Sequence, residues 1–147
     1  MRILETLSWP EIQSALGARL QGSPGRSPRG ASIDTRTLEP GEIFFALKGE
    51  DADGHDHVEE AFGRGAAAAV VGAGRLRSNG FSLVVDDPET ALFELARLVR
   101  SRSGAAFVAI TGSVGKTTVK EFAAELLRAK GPVLNTRGNL NNQLGVP

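Results

Sequence analysis

The chain has 147 residues, 41% of them hydrophobic and 23% charged, with 17 basic residues balancing 17 acidic ones and no cysteine. This is the composition of a folded protein with room for one ordinary core or two small ones, and it excludes a disulfide framework, a thiolate metal site and a cysteine nucleophile. With no net charge there is no broad footprint for nucleic acid or an anionic membrane, so any recognition of phosphate has to be local.

The N-terminus, Met1 to Trp9, lacks the apolar core of a signal peptide, and no later stretch approaches the roughly eighteen apolar residues that span a bilayer. A cytoplasmic protein without membrane insertion is expected. Ser8 and Glu11 have the spacing of a capping box, with Leu7 and Ile12 as its hydrophobic staple, which predicts a first helix from about Trp9 to Ala18. Gln21 to Gly30 has the glycine, proline and serine content of a loop. A short strand is expected over Ala31 to Thr35.

Glu39-Pro40-Gly41-Glu42 reads as a turn, and the apolar run Ile43 to Leu47 behind it reads as a short buried strand ended by Lys48-Gly49. After a polar, aspartate-rich segment, Val58 to Gly65 has the pattern of a helix closed by glycine. Ala66 to Val71 and Phe81 to Val85 are apolar runs of strand length. Asp87-Pro88-Glu89 caps a further helix reaching about Arg100, with Leu92, Leu95, Ala96 and Val99 at helical spacing. This alternation of strand and helix predicts an α/β layer.

Ser101 to Gly104 reads as a hinge, which divides the chain into a first domain over 1–100 and the beginning of a second over 101–147. Phe107 to Ile110 is expected to be a buried strand feeding a glycine-rich turn, Gly112-Ser113-Val114-Gly115-Lys116-Thr117-Thr118, that opens a helix carrying Val119, Phe122, Ala123, Leu126 and Leu127 on one face. The first amides of a helix have no partner within it, and the helix dipole adds about half a positive charge there, so such a turn holds a phosphate group. Lys116 reaches terminal phosphate oxygens as a point charge, and the Thr117 hydroxyl is placed to ligate magnesium on them. A nucleotide's phosphate tail with Mg2+ is the pair this turn points to. The loop is two residues shorter than the commonest phosphate loop, because the position six before the lysine is Ile110 rather than glycine. The bland alternative is a strand-to-helix turn whose lysine points to water.

With that turn, the segments Ala31 to Arg36, Glu39 to Gly49, Asp53 to Asp56, Thr111 to Glu121 and Asn135 to Pro147 resemble the Mur ligase family across the whole chain. The short loop spacing is also the family's form. The resemblance implies a small UDP-binding α/β domain followed by the start of a P-loop central domain. It implies an ATP-dependent amide ligase of peptidoglycan precursor synthesis, monomeric in its full-length form. Such an enzyme phosphorylates the carboxylate of UDP-N-acetylmuramoyl-tripeptide and lets the amine of D-alanyl-D-alanine displace phosphate. By the same resemblance Gly112 to Thr118 bind ATP, with Lys116 and Thr117 in catalysis. Asp34, Thr35, Arg36, Lys48, Gly49, Asp53, Gly54 and His55 fall on the uridine-diphosphate-sugar region, where Thr35 stands in place of the commoner serine. Asn139, Asn141 and Asn142 match an asparagine cluster near the γ-phosphate and the muramoyl peptide.

Other readings of these residues stand beside it. Asp34 with Arg36 is also an ordinary strand-end ion pair, and the asparagines are also turn residues bonding their own backbone. Asp53, His55, Asp56 and His57 lie too close along one loop to converge on a metal. A neighbouring ligase adding the third stem-peptide residue, a folylpolyglutamate synthetase, and a noncatalytic module binding a UDP-sugar or nucleotide are the competing functions. Because the chain ends soon after the P-loop helix, the second domain is expected to be truncated and the fragment alone inactive.

Overall fold

A computed structural model describes residues 3–25, 27–49, 52–75 and 80–136. The chain divides into two compact units, Met1–Ser103 and Gly104–Pro147. The first contains helix α1 (Trp9–Leu16), strands β1 (Arg19–Gln21), β2 (Gly30–Ser32) and β3 (Glu42–Phe45), helix α2 (Val58–Gly63), strands β4 (Ala68–Gly72) and β5 (Ser82–Val85), and helix α3 (Pro88–Arg102).

The capping box forms as its spacing requires: the Ser8 amide donates to Glu11 Oε2 at 2.9 Å and the Glu11 amide donates to Ser8 Oγ at 3.4 Å. Leu7 and Ile12, the staple residues, are both buried. The helix stops at Leu16, two residues earlier than expected, because Gly17 takes a left-handed conformation (φ 60°) and turns the chain into β1. Asp87 caps α3 in the same manner, accepting from the Thr90 amide at 3.0 Å, with Pro88 in the first turn.

The five strands form one mixed sheet in the order β1-β5-β4-β3-β2. Strands β2 to β5 run parallel, and β1 is added antiparallel along β5, pairing Arg19 with Val84 and Gln21 with Ser82. The core sits on β3, β4 and β5, whose residues from Ile43 to Phe45, Ala68 to Gly72 and Ser82 to Val85 are buried. Burying each of the larger side chains among them contributes about 2 kcal/mol. Phe44 and Ala46 join Val58 and Ala61 of α2 in one apolar cluster. Ile43 and Phe45 alternate away from it, α3 packs against β3 and β4, and α1 packs on α3. The fold is α/β, as the alternation of elements implied.

The second unit contains helix α4 (Lys116–Arg128). Among the described residues no strand is assigned over Phe107 to Ile110, where one was expected, and Phe107 and Val108 are 56% and 68% exposed.

Candidate functional site

All the parallel strands of the first unit end at the same edge of the sheet, the edge outside which ligands bind in open α/β sheets. Asp34, Thr35 and Arg36 follow β2 there. Asp34 accepts from the Arg36 backbone amide (2.9 Å) and from its guanidinium at Nε (2.9 Å) and Nη2 (2.6 Å). The side-chain hydrogen bonds from Arg36, first, and then its amide hold the Asp34 carboxyl down to about 2. Thr35 is buried and hydrogen-bonds Glu60 of α2, which lowers the pKa of Glu60. Of the three, Arg36 is the one standing in solvent.

The loop after β3 folds back on itself. Lys48 pairs with Asp53 in a short antiparallel bridge, the Gly49 amide donates to the Ala52 carbonyl at 2.8 Å, and the Gly54 amide donates to the Leu47 carbonyl at 2.8 Å. Asp53 then accepts from the His55 amide at 3.0 Å and lies 2.6 Å from His55 Nδ1. Those contacts, the backbone one first, and the nearby Arg75 cation hold the Asp53 carboxyl below its usual range. The other ring nitrogen, Nε2, accepts from the Gly72 amide at the end of β4 at 2.9 Å. An accepting Nε2 places the ring proton on Nδ1, pointing at Asp53. Lys48, Gly49, Asp53, Gly54 and His55 are thus brought together, and Asp34, Thr35 and Arg36 lie at the end of the adjacent strand.

Gly72 and Arg75 were missed by sequence reasoning. Arg75 Nη1 stands 3.3 Å from Asp53 Oδ2, and its amide donates to the Gly72 carbonyl at 3.1 Å. The only signal for them was a glycine closing an apolar run before a loop. His57 faces Glu60 (3.4 Å) rather than His55, and among the described residues no three His, Cys, Asp or Glu side chains form a metal cluster. A depression of about 360 Å³ bounded by Arg29, Glu39, Pro40 and Glu42 lies at the opposite edge, where β2 and β3 begin, away from all these residues.

In the second unit, Gly112 (φ 151°) and Gly115 (φ 81°) adopt backbone conformations that L side chains rarely reach, and Gly115 is the N-cap of α4. The first bond within the helix runs from the Val119 amide to the Gly115 carbonyl at 2.9 Å, so the amides of Lys116, Thr117 and Thr118 precede it. No acidic residue occupies the first turn, and Gly112 to Gly115, Thr117 and Thr118 are exposed. Lys116 Nζ donates to the Gly112 carbonyl, folding the cation back across the loop. An open, positively polarised turn with an ammonium over it fits the phosphate tail of ATP, and the exposed Thr117 hydroxyl suits a hard cation bound to those oxygens. The last described residues are tied to the same helix: Lys120 Nζ donates to the Thr136 carbonyl at 2.6 Å and Asn135 Nδ2 to Glu121 Oε2 at 3.2 Å. Asn139, Asn141 and Asn142 lie outside the described residues.

Comparison with known proteins gives consistent results over both units. Residues 110–147 match the Mur ligase middle domain. The UDP-N-acetylmuramoyl-tripeptide–D-alanyl-D-alanine ligase of Escherichia coli (strain K12) is 43% identical over 137 residues, which are 93% of this chain and 30% of that protein. A crystal structure of MurF from Acinetobacter baumannii superposes with a TM-score of 0.83 at 36% identity, covering 92% of this chain and 30% of that one. MurF ligase from Thermotoga maritima, solved in complex with ADP, superposes with a TM-score of 0.68 at 34% identity, covering 79% and 27%. The chain spans about 30% of the length of such curated relatives.

Proposed function

This chain belongs to the Mur ligase family, and from that premise we propose that it is part of an ATP-dependent ligase joining D-alanyl-D-alanine to UDP-N-acetylmuramoyl-tripeptide in the cytoplasm. Residues 1–100 take the UDP end of the muramoyl peptide, and residues 101–147 begin the ATP-binding domain. The observation that carries the reading is the exposed turn from Gly112 to Thr118. The relatives' printed name for the D-alanyl-D-alanine reaction favours it over the ligase adding the third stem-peptide residue.

In this reading the amides of Lys116 to Thr118 hold the phosphate tail of ATP, and the Lys116 ammonium moves from the Gly112 carbonyl onto terminal phosphate oxygens. Thr117 would ligate Mg2+, which neutralises phosphate charge when bound. The tripeptide carboxylate takes the terminal phosphoryl group, and the amine of D-alanyl-D-alanine then expels phosphate from the acyl phosphate. Arg36 and Lys48 serve the diphosphate, while Asp34, Thr35, Gly49, Asp53, Gly54 and His55 shape that region. The family resemblance assigns Asn139, Asn141 and Asn142, outside the described residues, to binding the γ-phosphate and the peptide.

Phosphate release by the purified full-length protein is the test. ATP turnover is expected only when both the UDP-muramoyl tripeptide and D-alanyl-D-alanine are present. Equal turnover with either omitted, or with D-alanyl-D-alanine replaced by a single diamino acid, overturns the assignment.

A further inference from the structure

Among the described residues two arginines, Arg36 and Arg75, stand at the ends of the parallel strands, and their guanidinium groups are committed differently. Arg36 spends both Nε and Nη2 on the Asp34 carboxylate, so its fork and its charge are already answered. Among the described residues Arg75 meets a carboxylate only through Nη1, at 3.3 Å, and its side chain is 49% exposed. A single exposed contact of that kind is worth little and leaves the remaining donors free to turn to a stronger anion.

What holds Arg75 is more rigid than Arg75 itself. The Asp53 side chain is 18% exposed and the His55 side chain 10%. Oδ1 of Asp53 faces His55 Nδ1 while Oδ2 faces Arg75. His55 Nε2 accepts the Gly72 amide, and the Gly72 carbonyl accepts the Arg75 amide, closing the ring from the other side. Both nitrogens of His55 are therefore used inside the protein, and neither is left for a ligand.

Resting on the nucleotide-sugar reading above, we propose that Arg75 contacts the diphosphate of the UDP-sugar, and that Asp53 and His55 are positioning residues that hold Arg75 at the strand edge rather than touching the ligand themselves. Three successive strand ends then each carry a cation, Arg36 after β2, Lys48 after β3 and Arg75 after β4, and of Arg36 and Arg75 it is Arg75 whose fork is unspent among the described residues. His55 acts through its Nδ1–H tautomer, the one in which the ring donates to Asp53 and accepts from Gly72.

The test is calorimetric titration of the 147-residue chain with UDP and, in parallel, with uridine. Arg75→Ala is expected to weaken UDP by about tenfold or more, the scale of one charge-assisted contact, and to leave uridine unchanged. Arg75→Lys restores part of the loss, since it keeps the charge without the fork. His55→Ala weakens UDP to a similar degree, and the double variant with Arg75→Ala loses no more than either alone. Ring 15N shifts of His55 should show the proton on Nδ1. UDP binding left intact by Arg75→Ala, additive losses in the double variant, or a proton on Nε2 overturns this proposal alone. Absence of UDP binding by the unsubstituted chain overturns the nucleotide-sugar reading together with it.

Discussion

Gly54 lies directly against the backbone of Leu47: its amide donates to the Leu47 carbonyl at 2.8 Å, and a Cβ built on it would sit 2.7 Å from that oxygen and 2.8 Å from the Leu47 nitrogen. The loop that returns Asp53 to Lys48 closes because no side chain intervenes. Gly54→Ala is therefore expected to destabilise the first unit by about 1–3 kcal/mol, since the atoms in the way are backbone. Urea denaturation measures it, and an unchanged midpoint would show that the loop opens without cost.

At Gly115 the restriction is of another kind. Nothing lies within 4 Å of a Cβ there, yet φ is 81°, so an alanine would be strained by its own backbone at about 1–2 kcal/mol. Gly115→Ala should lower ADP affinity roughly tenfold while the far-ultraviolet circular dichroism stays constant. Loss of helical signal together with binding would place the effect on α4 instead of on the turn.

Lys116→Ala in the full-length protein is expected to reduce ATP turnover by about a hundredfold or more, equivalent to about 2.7 kcal/mol of lost transition-state stabilisation. Steady-state phosphate release is the readout. Turnover at the unsubstituted level would detach Lys116 from the reaction.

The Asp34 carboxyl is depressed from its usual 3.8 to about 2 by Arg36. A depressed acid stabilises the folded state above its unfolded value and loses that contribution as pH falls toward the folded value, so the window runs from about 4 down to about 2. The pair stands largely in water, which limits the effect to no more than about 1 kcal/mol. The stability difference between the unsubstituted chain and Asp34→Asn, followed by urea midpoint, should be constant near pH 5 and shrink below pH 4. A difference that does not change with pH would mean that Asp34 has no favourable partner.

Helix α4 buries only Ala124, with Phe122 68% exposed and Leu126 74% exposed. Its amides in the 147-residue chain should exchange with solvent orders of magnitude faster than those of β3 and β4. Comparable protection in both would require cover for that apolar stripe.

Much of the first unit was legible because its signals are local. Ser8 with Glu11, Asp87 with Pro88, and the apolar runs of β3, β4 and β5 each announce themselves within a few residues. Strand β1 was not, since Arg19-Leu20-Gln21 has no pattern of its own and becomes a strand only by lying along β5, sixty-odd residues away in sequence. The converse case was Phe107 to Ile110, whose strand-like composition is not assigned as a strand among the described residues. At the candidate sites, the Gly112 to Thr118 turn could be read because a single spacing encodes it. Arg75 could not, because its place beside Asp53 is made by the return of β4 to the strand end, and nothing in Gly74-Arg75-Leu76 foretells that.

The sheet terminates on both sides in strands of three residues, β1 and β2. Too short to template a foreign strand, they blunt the rows of unpaired backbone groups from which fibrils and runaway edge-to-edge stacking nucleate. The central strands, rich in valine, alanine and phenylalanine, are the segments most able to seed such assemblies, and each is enclosed between neighbours.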